Sequence, residues 1–241
     1  MILYYNFSGM HFANILDGRG DTMDSKYMEN VTVFDHPLIR HKITHLCDIN
    51  TGSKEFCEIV SEITMLMGYE VLKDLPVKMV DVQAPLSKFQ SPVLAEDFTI
   101  VPILRAGLGM VDGLRSLLPT AKVGHVGIYR DEKTLKPIQY YFKMPVDVAQ
   151  GEVIVVDPAF ATGVSADSAI KLLKEAGCKK IKFMCLFASD QAIELLASHH
   201  PDVPIYAAYH STIPLNQNGY IIDGPGDAGD RVCGTVSYKP Q

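Results

Sequence analysis

Two runs in this chain are apolar at nearly every position, which is the pattern of strands buried on both faces. Phe98-Thr99-Ile100-Val101-Pro102-Ile103-Leu104 is one, and Val153-Ile154-Val155-Val156 is the other. A strand with one wet face alternates apolar and polar residues; a strand covered on both sides need not. Elsewhere the apolar spacing is helical. It predicts helices over residues 53–75 (Phe56, Ile59, Val60, Ile63, Leu66, Met67), 107–118, 165–175 and 191–198. Gly177 would end the third of these. Further strands are expected over 123–129, 138–142, 181–188 and 204–209, with a polar loop at 132–136. Strands alternating with helices predict an α/β domain built on a mostly parallel sheet. Ligands of such sheets sit at the carboxyl ends of the strands. Residues 77–82 read as a strand, and Ala84-Pro85-Leu86-Ser87 as a turn, so an antiparallel hairpin arm is expected over roughly residues 77–97.

The chain has 241 residues, of which 47% are hydrophobic, enough for one large, well-filled domain. Residues 1–30 read as an N-terminal extension and 31–241 as the domain. The net charge of −6 argues against a nucleic-acid or anionic-membrane surface, but not against a small anionic ligand. Backbone N–H groups can hold phosphate whatever the total charge. The five cysteines are scattered and form no C-x-x-C pair, so reduced thiols in a cytoplasmic protein are expected rather than a disulfide or zinc framework. No apolar run approaches the roughly 18–20 residues of a membrane span. The apolar opening lacks a basic segment before it, so no signal peptide is expected.

The most informative stretch is Val156-Asp157-Pro158-Ala159-Phe160-Ala161-Thr162-Gly163-Val164-Ser165. It reads as a buried strand, an acid at the strand end, then a small-residue loop opening a helix. A helix N-terminus offers unpaired N–H groups and a partial positive charge, which suit a phosphate. Thr162 and Ser165 add hydroxyl donors, and Asp157 can accept hydrogen bonds from a ribose diol. An ordinary βα turn, with Asp157 and Ser165 capping, would satisfy the same letters. A Walker A loop is excluded by the missing G-K-[ST], and a dinucleotide fingerprint by the missing G-x-G-x-x-G.

Other blocks decide the matter. His36-Pro37-Leu38-Ile39-Arg40-His41-Lys42, Val101-Pro102-Ile103-Leu104-Arg105-Ala106-Gly107-Leu108-Gly109-Met110, and Tyr129-Arg130-Asp131-Glu132-Lys133-Thr134-Leu135-Lys136-Pro137 come before or between the runs above. Gly219-Tyr220-Ile221-Ile222, then Gly226-Asp227-Ala228-Gly229-Asp230-Arg231 and Gly234-Thr235, come after them. In this order the blocks resemble the uracil phosphoribosyltransferases, over roughly residues 33–236. The single acid before Pro158 is similar to the uracil type; purine and orotate enzymes generally carry two adjacent acids there.

The resemblance implies a type I phosphoribosyltransferase-like parallel sheet flanked by helices, with a C-terminal uracil-binding hood and a β-hairpin arm. It implies transfer of the 5-phosphoribosyl group from 5-phospho-α-D-ribose 1-diphosphate to uracil, giving UMP and diphosphate in pyrimidine salvage. By the same resemblance, Asp157, Pro158, Ala159, Phe160, Ala161, Thr162, Gly163, Val164 and Ser165 hold the ribose and 5-phosphate. Arg105 and Arg130 contact the diphosphate, and Asp227 lies near it and its metal; these three are the expected catalytic residues. Tyr220, Ile221, Gly226, Asp227 and Ala228 bind uracil. Mg²⁺ is expected as cofactor, carried in on the diphosphate rather than in a protein cage. A homodimer or homotetramer is expected, and some members of the family respond to GTP. His36 and His41 are expected to be structural.

The chain departs from the family pattern at Val164 (for glycine), Ala159-Phe160, residues 188–192, Thr212 and Cys233. If the family glycine uses φ > 0, Val164 would strain the loop by about 1–3 kcal/mol and weaken donor binding. A catalytically weakened nucleotide-sensing or regulatory protein of the same fold is therefore the alternative.

Overall fold

A computed structural model of the chain describes residues 25–130 and 137–235, without the side chains of Ser25, Lys26 and Arg130. Among the described residues, nine strands form one sheet. Its central path starts at β1 (Val31–Val33) and runs through β11 (Ile205–Ser211), β10 (Lys180–Ser189), β8 (Glu152–Val156), β4 (Phe98–Leu104) and β6 (His125–Arg130) to β7 (Pro137–Lys143). Two short strands, β5 (Lys122–Val123) and β9 (Ala159–Phe160), pair with β4 and β10. Every pairing in this sheet is parallel except β6 with β7.

The uninterrupted apolar runs occupy the centre, as their pattern predicts. Side chains alternate across a strand, and each run feeds two cores. Ile100, Ile154, Val156, Met184 and Leu186 lie in one core, with α1 (Pro37–Cys47), α2 (Ser53–Val71) and α3 (Leu108–Leu117). Val101, Ile103, Val153, Val155, Phe183 and Cys185 face the other, with α4 (Val164–Glu175) and α5 (Asp190–His199). Helices on both faces force strand connections to cross over, so the strands are parallel.

The sequence did not predict α1, β1, β9 or α6 (Ala228–Cys233), and two predicted elements differ in extent. The strand expected over 123–129 is broken at Gly124, whose N–H donates to Ile100 O at 3.0 Å. A Cβ there would lie 2.3 Å from Met144 Sδ, so a side chain at 124 would have to displace the end of Met144. The helix expected to reach residue 75 stops at Val71. Buried Lys182 takes over its end, donating from Nζ to Val71 O at 2.9 Å and to Asp74 Oδ1 at 2.6 Å. Glu152 lies 3.0 Å from the same ammonium. A buried charge needs such partners.

The hairpin arm is present. β2 (Val77–Gln83) pairs antiparallel with β3 (Lys88–Leu94), from Val77 opposite Leu94 to Gln83 opposite Lys88. Met79, Leu86 and Phe89 on it are exposed. Residues 1–24 and the polar loop expected at 132–136 lie outside the described residues. Within the described part of the expected extension, Tyr27 and Met28 pack against the second core, and Asn30 O accepts from Ile205 N at 2.8 Å. No helix among the described residues is long and apolar enough to cross a membrane.

Candidate active site

The carboxyl end of β8 delivers Asp157, and the chain then runs along β10 before turning into α4. Pro158 O accepts from Leu186 N and Phe187 N, at 3.2 and 2.9 Å. Ser189 Oγ donates to Ala161 O at 2.5 Å, and Phe160 packs its ring on Phe183, with centroids 4.6 Å apart. Residues 158–161 are therefore strapped to the sheet, and the Phe160 side chain belongs to the core. What remains open to a ligand is Asp157, the half-buried Thr162 and Ser165, and the start of α4. The first N–H satisfied at the helix start is that of Asp167, bonded to Gly163 O at 2.9 Å. The N–H groups before it have no intrahelical acceptor and suit an anion. Burial pushes the Asp157 carboxyl up to about 7, against a small lowering from the Ala159 N–H.

The capping residue is Gly163, at φ 79°, with no side-chain cap. Neither Asp157 nor Ser165 caps the helix. Val164 is the first helical residue, so the left-handed demand falls one position earlier than the strain argument supposed. A Cβ on Gly163 would also come within 3.0 Å of Ala192 Cα. Gly163→Ala is expected to raise the Michaelis constant for a phosphorylated donor about tenfold, from a backbone cost of about 1–2 kcal/mol. Val164→Gly should leave it near the parent's, and steady-state kinetics with varied donor checks both.

Arg105 follows β4 directly, across a cis peptide from Leu104. The turn it begins is pressed onto the end of β8: a Cβ on Gly107 would lie 2.5 Å from Val156 O. The Arg105 segment and the Asp157 loop thus share one edge of the sheet. The Arg105 side chain is half exposed and pairs through Nη2 with Asp230 Oδ1 at 3.0 Å. Thr235 Oγ1 donates to the same oxygen at 2.6 Å. The hydrogen bond to Asp230, with the charges of Asp230 and Asp227 nearby, raises the guanidinium pKa further, and the hydrogen bond from Thr235, then that from Arg105, lowers the Asp230 carboxyl.

Asp230 sits in α6 (Ala228–Cys233), which Asp227 caps by accepting the Asp230 N–H at 2.9 Å. Asp227 Oδ2 also accepts from Tyr220 Oη at 3.1 Å. Ile221 and Ala228 are buried in the first core, and Gly226 has φ 72°. The structure therefore brings together Arg105, Asp227, Tyr220 and the loop through Gly226. Arg130 ends β6, two strands from β8, but its side chain lies outside the described residues. His36 caps α1, its Nδ1 accepting from Leu38 N at 3.2 Å, and His41 packs on His45.

Two residues in the quoted blocks went unassigned by sequence reasoning: Asp230, which holds Arg105, and Arg231, a buried hub. Their signal was the charge cluster Asp227–Arg231 itself, which a sequence cannot divide into ligand-facing and inward-facing members. Among the described residues no group of three or more His, Cys, Asp or Glu is placed to hold a metal ion. The carboxylates beside Arg105 are oxygen donors, which suit Mg²⁺ brought in with a diphosphate.

A family model described as uracil phosphoribosyltransferase matches residues 33–235. The chain is 55% identical over 209 residues to the uracil phosphoribosyltransferase of Bacillus pumilus, covering 86% of this chain and 100% of that one. It is 54% identical to the enzyme of that name from Clostridium perfringens, with the same coverage. Among solved structures, the AQ2163 protein of Aquifex aeolicus superposes with a TM-score of 0.82 at 31% identity, covering 86% of this chain and 100% of that chain.

Proposed function

Because the chain belongs to the uracil phosphoribosyltransferase family and is an enzyme of pyrimidine salvage that forms UMP, we propose how its residues divide the work. Carbon 1 of the donor ribose gains oxocarbenium character as its bond to the departing diphosphate breaks, and the pyrimidine nitrogen bonds to it and releases its N–H proton. Little covalent help is needed; catalysis is positioning and charge stabilisation. The start of α4 receives the 5-phosphate. Asp157 accepts from the ribose hydroxyls. Arg105 and Arg130 take the leaving diphosphate, to which a planar guanidinium can fork onto two oxygens. Mg²⁺, when bound, neutralises diphosphate charge, with Asp227 as the protein's nearby oxygen. Tyr220, Ile221, Gly226, Asp227 and Ala228 form the base site, where backbone N–H and C=O groups match uracil's donor–acceptor edge.

The observation that carries this reading is the Arg105–Asp230 ion pair, which joins the donor edge of the sheet to the segment assigned to the base. The identity to enzymes named for uracil does not favour the regulatory alternative. The test is incubation with Mg²⁺, the donor and each nucleobase in turn. UMP from uracil alone is expected; a nucleotide from a purine base, or none at all, would overturn the assignment.

Asp157 adds a pH dependence. Its folded pKa lies above the ordinary 3.8, so the folded state holds the proton longer. This group's stabilising contribution is full below 3.8 and is lost as pH rises through about 7. Donor binding runs the other way, because only the ionised carboxylate is purely an acceptor. The kcat/KM for donor is expected to climb to a plateau above about 7, and Asp157→Asn to lower the plateau and flatten that limb.

The exposed apolar side chains of the hairpin arm favour a second copy of the chain as its partner, in a homodimer or larger oligomer. Light scattering that shows a monomer at every concentration would exclude this.

A further inference from the structure

Between the tight loop at residues 216–220 and α6, the proposed base segment has no ladder of its own to hold it. Asn216 organises its start, with Oδ1 accepting from Asn218 N and Tyr220 N, both at 2.9 Å. Arg231 organises its end, donating to Pro225 O at 3.1 Å. In the middle stands Asp223, two residues after Ile221 and three before Gly226. Its carboxylate receives two short hydrogen bonds from β11: Tyr209 Oη to Oδ2 at 2.6 Å and Ser211 Oγ to Oδ1 at 2.5 Å. Both donors are themselves fixed. Tyr209 packs edge-on against Phe187, with centroids 5.8 Å apart, and Ser211 Oγ accepts from Ile213 N at 3.3 Å. The backbone of Asp223 is held as well, its carbonyl accepting from Cys47 Sγ at 3.6 Å.

We propose that Asp223 is a positioning residue for the pyrimidine: its carboxylate, clamped by Tyr209 and Ser211, sets the distance of the base-reading backbone from the donor site. A reader built of backbone groups cannot adjust by side-chain rotation, so its accuracy depends on where the segment is anchored. Charged acceptors make the stronger hydrogen bonds, and two of them at one carboxylate define both its place and its orientation. The tyrosine's half of the clamp persists at alkaline pH. Burial, followed by the hydrogen bond to Asp223, pushes the Tyr209 hydroxyl up to about 12, so it remains a donor. The donor site is anchored separately, by the straps from residues 158–161 to β10. Loosening Asp223 therefore acts first on the base, because Asp227 and Asp230, this segment's links to the donor side, are held at the start of α6. The inference rests on the reading of residues 220–228 as the base site.

The experiment measures both Michaelis constants and the melting temperature for Asp223→Ala, Asp223→Asn, Tyr209→Phe, Ser211→Ala and Gly226→Ala. Asp223→Ala is expected to raise the constant for uracil about tenfold, the size of one lost charged hydrogen bond, and that for the donor less than about twofold. Asn, which can still accept from Ser211 and donate to the tyrosine oxygen, should restore most of the loss. Tyr209→Phe and Ser211→Ala, milder if the alanine variant folds poorly, should each show a smaller, uracil-only rise. A parallel rise in both constants, or a fall in melting temperature without a uracil-selective change, would mean a merely structural contact and overturn the proposal. Gly226→Ala separates the two readings. If it leaves the uracil constant unchanged, the base-site reading and the proposal fall together. If it raises that constant while Asp223→Ala does not, the role of Asp223 alone is refuted.

Discussion

Arg105→Ala should lower kcat/KM by about a hundredfold to a thousandfold, the usual cost of removing one fixed donor from a developing negative charge. The side chain leaves the end of a buried strand, and the turn behind it is wedged against Val156 O, so its base cannot shift. Its tip is half exposed and paired with Asp230. Exposed pairs of this kind contribute about 0–1 kcal/mol, so the fold should survive the change. Activity and stability are thus expected to separate. Arg105→Lys should recover little, since a lysine ammonium has no planar fork. The measurement is kcat/KM for the donor beside a melting curve. Unaltered kcat/KM, with the variant folded, would remove Arg105 from the site.

Arg231→Met should do the reverse and cost stability above all. The Arg231 guanidinium is buried, lies 4.2 Å from the centre of the Phe56 ring, and donates to backbone carbonyls on two sides. These are Leu46 O, Asp48 O at 2.8 Å and Thr51 O at 3.1 Å around the end of α1, and Pro225 O at 3.1 Å in the base segment. The carbonyls at a helix end have no intrahelical partners, and this cation supplies them. Methionine fills much of the volume but donates nothing, which leaves buried acceptors unsatisfied. The expected loss is about 3–5 kcal/mol, a large part of the roughly 5–15 kcal/mol that holds a domain together. Urea unfolding, read as a shift in midpoint with slope unchanged, measures it. A shift equivalent to less than about 1 kcal/mol would show the carbonyls finding water instead.

Most strands and helices that reach the core were legible because burial repeats with their own periods. The runs at 98–104 and 153–156 became adjacent central strands, and the hairpin at 77–94 appeared where turn residues interrupted a β pattern. The missed elements include α1, whose eleven residues bury only Ile39, Ile43 and Leu46; the others are short. β1 and β9 owe their strand geometry to neighbours distant in the chain, and α6 is too brief for a periodicity to show. Helix ends were displaced where a long-range partner decided them, as Lys182 does at Val71.

The chemistry divides along the same line. The order of the sequence blocks determined the family, the substrates it implies and the residues expected at the site, because residue type and spacing carry that information locally. Which of those residues can face a ligand was decided by tertiary structure. In the loop after β8, Pro158, Ala161 and Phe160 are spent on the sheet, while Asp157 and the start of α4 stay open. The sequence placed strain at Val164; the fold places the positive φ at Gly163 and lets valine begin the helix. In the run Asp227–Arg231, neighbouring charges turn to opposite duties, Asp230 outward to Arg105 and Arg231 inward to the carbonyls of α1. Direction is the reason. A helix turns each successive side chain by about 100°, and what lies in each direction is set by chain that is distant in sequence.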